Sequence, residues 1–160
     1  MCIRDRDNTG AVYIYKKNDD SKSVCDTYVT KLVPNDRPCD TKFGDTWFGI
    51  SVAWCPTGGL LAVGAPRHDS CDSCDENTGA VYIYKKNDDS KSVCDTYVTK
   101  LVPNDRPCDT NPRNTLFGQS VAWCPTGGLL AVGASRHDSC DTTQDDTGAV
   151  YIYEDKKTIV

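Results

Sequence analysis

The sequence predicts an all-β fold assembled from a repeated four-strand unit. Three observations carry that prediction. The hexapeptide GAVYIY at residues 10–15 returns at 79–84 and again at 148–153, while Phe48-Gly49 returns at Phe117-Gly118 and GGLLAVGA at 58–65 returns at 127–134. Every one of these spacings is 69 residues, and residues 8–41 are identical to residues 77–110. No segment shows a sustained helical period, and the apolar stretches are short, β-branched and bounded by turn formers.

Within the complete unit the elements follow in order. Residues 48–54 (FGISVAW) read as a strand that stops at the turn-forming cluster CPTGG, 55–59. Residues 60–65 (LLAVGA) are a continuous apolar run, too short for a buried helix, and read as a strand covered on both faces. A polar loop at 66–78 leads to 79–84 (GAVYIY), rich in β-branched and aromatic residues. A second polar loop, 85–96, leads to 97–102 (YVTKLV), and Pro103 ends that strand because it has no amide to give to a ladder. Applied to the whole chain, the pattern predicts nine strands at about 10–15, 28–33, 48–54, 60–65, 79–84, 97–102, 117–123, 129–134 and 148–153. Four short strands per unit, repeated, is the pattern of a propeller blade. The predicted fold is therefore a partial β-propeller of four-stranded antiparallel blades repeating every 69 residues, about two and a quarter units. Residues 7–34 supply strands three and four of one blade, 48–103 a complete blade, 117–153 strands one to three of another, and 154–160 a tail. Residues 1–6 have no counterpart in the next unit and read as a non-native, adaptor-like tail. They are not a signal peptide, because no apolar stretch follows. The chain is expected to be a fragment of a larger protein.

Composition narrows the function classes. Lys and Arg number 18 against 23 Asp and Glu, and the Lys16-Lys17 and Lys85-Lys86 pairs sit close to Asp19-Asp20 and Asp88-Asp89. There is no basic stripe, so nucleic acid is not an expected partner. No apolar run approaches the roughly 18 residues that span a bilayer. Ten cysteines in 160 residues point to an oxidising compartment.

The cysteines fall at repeated positions: Cys25, Cys39, Cys55 and Cys71, then Cys94, Cys108, Cys124 and Cys140. All are expected in loops or turns. In an antiparallel blade the turns after strands one and three share one face, and the loops after strands two and four share the other. Cys55–Cys94 and Cys71–Cys108 are therefore the leading disulfide pairs, with Cys39–Cys71 the alternative across neighbouring blades. Cys71 and Cys74 form a C-x-x-C near His68, but Thr143 stands where the repeat would place a second Cys74, so zinc is not the expected reading.

Asp69, Asp72, Asp75 and Glu76 crowd one loop, and Asp138, Asp141, Asp145 and Asp146 the next. The spacing is not that of an EF-hand, and a solvated acidic loop is the simpler reading. If a cation binds, Asp69, Asp72, Asp75, Asp138 and Asp141 are the candidate ligands. His68-Asp69 and His137-Asp138 invite a catalytic reading, with Ser70 or Ser139 as the nearest nucleophile. No nucleophile elbow accompanies them, and a site copied in successive units reads as scaffold, so no catalytic residue and no cofactor is expected. Trp54, Trp123, Tyr82 and Tyr84 either form a carbohydrate platform or pack in the core, and the position of each Trp at a strand end favours packing between blades.

The order Phe48-Gly49, then Val63-Gly64-Ala65-Pro66, then GAVYIY at 79–84 resembles the FG-GAP repeat. The resemblance covers nearly the whole chain after residue 7. It implies a β-propeller of the kind found in the ligand-binding heads of integrin α subunits, and hence extracellular or cell-surface recognition and adhesion. The sequence departs from that family at 55–59 and 124–128. A calcium loop often stands there, and neither copy here carries a carboxylate, so no calcium is expected at that place. The expected partners are an unknown protein or glycan ligand and the remaining blades of the same protein. The alternatives are a propeller accessory to a catalytic domain and a structural array in a cell wall or surface layer.

Overall fold

The computed structural model describes residues 9–16, 27–36, 46–68, 78–86, 94–104, 115–137 and 147–154. Nine strands form within them: β1 (Val12–Lys16), β2 (Thr27–Leu32), β3 (Ser51–Trp54), β4 (Leu60–Ala65), β5 (Ala80–Lys86), β6 (Cys94–Leu101), β7 (Phe117–Trp123), β8 (Leu129–Ala134) and β9 (Ala149–Glu154). The described residues contain no helix, and so none long and apolar enough to cross a membrane. Among the described residues every strand-to-strand ladder is antiparallel and joins chain neighbours. The strands form a first sheet β1-β2, a second β3-β4-β5-β6 and a third β7-β8-β9.

The registers repeat with the sequence. Val63 faces Tyr82 and Gly64 faces Val81 in the second sheet, and Val132 faces Tyr151 and Gly133 faces Val150 in the third. A register shift between Ile14 and Tyr15 recurs between Ile83 and Tyr84. Identical residues therefore produce the same local irregularity. Two ends differ from expectation. Residues 48–50 lie outside β3: Phe48 makes an isolated bridge to Gly10, whereas its counterpart Phe117 makes the same bridge to Gly79 and also pairs with Ala134 as the first residue of β7. Strand β6 begins at Cys94, ahead of the loop boundary expected at residue 97, because a further shift at Lys85/Lys86 carries the pairing on to Lys86 and Cys94.

Side chains alternate across each strand, so the second sheet has two different faces. Leu61, Val63, Ala65, Ala80, Tyr82 and Tyr84 lie in one buried cluster with Phe48 and Leu32, against Val12 and Ile14 of the first sheet. Ala62, Val81 and Ile83 lie in another with Phe117, Leu130 and Val132, against Tyr151 and Tyr153 of the third. The sheets thus stack face to face, with the second covered on both sides. This is why LLAVGA in β4 is apolar at every position.

The phenylalanines hold equivalent places. Phe48 meets Tyr82 and Tyr84 edge-on at centroid separations of 5.3 and 6.4 Å, and Phe117 meets Tyr151 and Tyr153 at 5.2 and 6.1 Å. Trp123 packs between sheets as expected, its Nε1 donating to the Ala53 carbonyl at 3.1 Å. Trp54 departs from that expectation and is exposed. The acceptor that Trp123 finds lies on β3, a first strand, and the first sheet contributes only β1 and β2 among the described residues.

Candidate functional site

Two features concentrate chemistry: a polar network that ties the first sheet to the second, and an open cleft at the joint between them.

The network is built on His68. This residue follows β4 at the start of the polar loop, and its backbone holds the two loop ends together. Its N–H donates to Ala65 O at 3.0 Å, and its carbonyl accepts from Gly79 N at 3.0 Å and Thr78 Oγ1 at 3.4 Å. The side chain is buried against Tyr82 with the rings edge to face, centroids 5.9 Å apart. Tyr82 Oη donates to Asp36 Oδ1 and lies 3.2 Å from His68 Nδ1. Lys100 Nζ donates to Asp36 Oδ2 and stands 3.1 Å from His68 Nε2. The single hydroxyl proton of Tyr82 is committed to Asp36, so the proton between Oη and Nδ1 resides on Nδ1. The Nε2 lone pair then faces the Lys100 ammonium, and every polar group in the set is matched.

The electrostatics follow from these contacts. Burial pushes the Asp36 carboxyl up, but hydrogen bonds from Lys100 and Tyr82, with the field of the Lys100 ammonium, outweigh it and hold the group below its ordinary range. Burial first, and then Asp36, pushes the Tyr82 phenol far above its ordinary value. Tyr84 is pushed up to about 12 by burial, with Tyr97 and Asp36 adding. A phenol so hard to ionise is a weak acid, and its phenolate is not populated at neutral pH to act as a base. The arrangement fastens the segment after β2 onto the second sheet, and in the next unit Tyr151 Oη and His137 Nδ1 stand at the same 3.2 Å.

In the sequence His68 stands beside Asp69, an adjacency that invites a catalytic reading but is not read as catalytic; Asp69 lies outside the described residues. The structure pairs His68 with Asp36, at 3.6 Å from Nε2 to Oδ2, and with Lys100, neither of which stood out in the sequence. The signal available was the period: Lys31 and Lys100, Asp36 and Asp105, and His68 and His137 each stand 69 residues apart. Asp69, Asp72, Asp75, Asp138 and Asp141 lie outside the described residues, as do Ser70, Ser139, Cys25, Cys39, Cys71, Cys74, Cys108 and Cys140. Among the described residues no three His, Cys, Asp or Glu side chains gather into a metal-binding group.

Cys55, Cys94 and Cys124 are free thiols, so the bridge expected between Cys55 and Cys94 is not formed. Each sulfur is engaged elsewhere. Cys55 Sγ lies 3.0 Å from Thr57 Oγ1 and 3.5 Å from the Gly127 carbonyl of the next sheet, and Cys94 Sγ lies 3.8 Å from the Gly59 carbonyl. Cys94 also belongs to strand β6 and not, as expected, to a loop. Burial raises its thiol pKa, with Asp95 and the nearby Cys55 adding and Lys86 opposing.

The cleft has a volume of about 540 Å³ and is lined by Gly10, Ala11, Trp47, Phe48, Gly49 and Ile50. It is a shallow depression, wide open to solvent. Trp47 and Ile50 are exposed at its rim, and the Arg67 guanidinium stacks on the Trp47 ring, 3.7 Å from the centroid. Trp47 holds a left-handed backbone, φ 53°, a conformation that costs a non-glycine residue free energy. Leu116 holds φ 52° at the equivalent place, so the strain belongs to the repeat. The side chains are not shared: Leu116 and Gln119 stand where Trp47 and Ile50 do. No family model matches the chain, and no curated protein matches it.

Proposed function

We propose that the chain is a non-catalytic extracellular recognition or adhesion module built of FG-GAP propeller blades. On this reading, the cleft at Trp47 and Ile50 meets a protein or glycan ligand. The observation that carries the proposal is the contrast between the two joints. Backbone bridges Gly10–Phe48 and Gly79–Phe117, both parallel, repeat the same construction, while the residues at the rim change from Trp47 and Ile50, both exposed, to a half-buried Leu116 and an exposed Gln119. A constant scaffold carrying variable surface side chains is how loop-face recognition is organised. An exposed indole capped by a guanidinium offers stacking area and hydrogen-bond donors at low entropic cost, which suits a sugar ring or an acidic protein segment.

The propeller assignment draws support from three antiparallel sheets stacked face to face in chain order. The non-catalytic reading draws support from His68, whose ring lies buried with both nitrogens facing polar partners. A glycan array and a panel of immobilised extracellular glycoproteins, probed with the soluble chain, test the function. Saturable binding to one class is expected, weakened about tenfold or more by Trp47→Ala and unaffected by Gln119→Ala. Binding indifferent to Trp47→Ala removes the cleft from the proposal. Turnover of a panel of ester, peptide and glycoside substrates overturns the non-catalytic reading.

A further inference from the structure

The depression between the first two sheets can donate hydrogen bonds from its side chains but cannot accept them. Its lining residues, Gly10, Ala11, Trp47, Phe48, Gly49 and Ile50, bring no side-chain oxygen to it. Their side chains are apolar apart from the Trp47 indole, which donates and does not accept. A sugar ring carries a hydroxyl on most of its carbons, and each hydroxyl has a proton to give. Covering one without an acceptor forfeits its hydrogen bond to water. The surface is therefore poorly matched to a glycan. Its apolar side chains and shallow form match a protein contact, where tryptophan and arginine are the enriched anchors.

Arg67 supplies the charge. Its amide donates to the Thr46 carbonyl at 3.2 Å, which fixes the arginine beside Trp47. Its guanidinium lies 3.7 Å from the Trp47 ring centroid, and the residue is half-buried. A stacked guanidinium keeps its N–H groups in its own plane, pointing past the ring edge, where they can serve a planar acceptor two at a time. Among the described residues no acceptor takes them, and the ion pairs described are those of Asp36 with His68 and Lys100. The next unit lacks the arrangement. Arg136 is exposed, and Leu116 in place of Trp47 offers no ring to hold it.

Ile50 is 57% exposed beside this pair. Its counterpart Gln119 is exposed as well, next to a sheet of four strands. The position thus faces solvent beside the four-stranded sheet as it does beside the two-stranded one. We infer that the Trp47–Arg67 pair binds a carboxylate side chain of a protein ligand, an Asp or Glu set between apolar residues that lie over Ile50. The inference rests on the recognition reading above and narrows it to one ligand class. The chain's net charge of −5 works against a polyanion. The acid is therefore an isolated one in an apolar segment and not a member of an acidic run.

An array of short N-acetylated, C-amidated peptides provides the test. Each carries one Asp or Glu among Leu, Ile, Val or Phe residues and is matched with the same peptide carrying Asn or Gln. Neutral and uronate oligosaccharides are printed beside them. The wild-type chain is expected to hold the best acid peptides at least about tenfold more tightly than their amide partners, the ratio that a charge-assisted hydrogen bond supplies. Arg67→Gln should bind acid and amide alike. Arg67→Lys should keep only part of the preference, because an ammonium lacks the planar fork. Trp47→Leu, which copies the next unit, should lose most of it. Far-ultraviolet spectra and urea midpoints establish that each variant is folded, and Arg67→Lys carries the test if Arg67→Gln is not. Four outcomes overturn the inference: equal binding of acid and amide peptides by the wild type, an acid preference that survives Arg67→Gln, capture of the oligosaccharides in place of the peptides, or no peptide held at all. The recognition reading has a separate end point: it stands in each of these cases if glycoproteins or glycans are bound, and falls when nothing is.

Discussion

Gly79 lies so close to Phe117 that a Cβ on the glycine would stand 2.1 Å from the Phe117 carbonyl oxygen, and Gly10 stands in the same relation to Phe48. The joint between sheets is made of backbone against backbone, which explains in physical terms why a glycine stands at positions 10 and 79. Gly79→Ala is expected to be strongly destabilising. Its φ of 87° alone costs an alanine about 1–3 kcal/mol, and the collision with Phe117 adds to that. Gly58→Ala is the control, since Gly58 has a φ of 81° but nothing within 4 Å of the added Cβ. Urea unfolding of both variants isolates the contact: Gly79→Ala should lose clearly more stability than Gly58→Ala, and equal losses would show that the sheets separate without penalty.

Asp36 makes stability depend on pH with a definite sign. Its carboxyl titrates below the ordinary range in the folded chain. The stabilisation is therefore full above the unfolded carboxyl value, near pH 4, and is lost as pH falls through the lower folded value. Asp36→Asn should flatten the acid limb of the stability curve below about pH 5. Its cost at neutral pH should be small, about 0–1 kcal/mol, because the side chain is 39% exposed and solvent screens its pairing with Lys100. Thermal melts of both proteins between about pH 2 and 7 provide the comparison. An unchanged acid limb would mean that other carboxylates dominate it.

The strands were legible because their signals are local. LLAVGA lies between a CPTGG turn and a polar loop, and GAVYIY has the alternation that places Tyr82 and Tyr84 on one face and Val81 and Ile83 on the other. The polar network was not legible from adjacency. His68 meets the carboxylate of Asp36, 32 positions earlier, in the segment that follows β2 of another sheet. Cys94 was misplaced for a related reason. A register shift at Lys85/Lys86 lengthens β6 past the boundary that hydrophobicity marks, and no residue type announces it. Trp54 and Trp123 end identical SVAW segments, so nothing local distinguishes them. Only the sheet on the other side decides which one is covered.

That difference between the tryptophans is measurable. Trp123→Phe removes the Nε1 hydrogen bond to the Ala53 carbonyl and some inter-sheet packing, at an expected cost of about 1–2 kcal/mol. Trp54→Phe alters an exposed residue and should stay within about 0.5 kcal/mol of wild type. Loss of Trp54 should also shift the mean emission to shorter wavelength and reduce acrylamide quenching, whereas loss of Trp123 should do the opposite. Equal stability effects would contradict the asymmetric placement of the two rings.

Cys55 and Cys124 offer the sharpest test of the same principle, because each opens an identical CPTGG turn. In both turns the sulfur lies 3.0 Å from the hydroxyl of the threonine two residues on. Around Cys124 the hydrogen bond with Thr126 lowers the thiol pKa, and the sulfur stays within reach of solvent. Cys55 is buried, its sulfur 3.5 Å from the Gly127 carbonyl of the adjoining sheet. The attacking species in alkylation is the thiolate, and access sets the rest of the rate. Cys124 should therefore react with iodoacetamide at least about tenfold faster than Cys55 at neutral pH in the folded, reduced chain, and the two rates should converge in denaturant. The tryptic peptides ending at Arg67 and Arg136 carry the two cysteines and differ in sequence, so a timed alkylation read by mass spectrometry resolves them. Equal rates in the folded chain would mean that the third sheet does not cover the Cys55 turn, and the face-to-face stacking of the second and third sheets would fail with it.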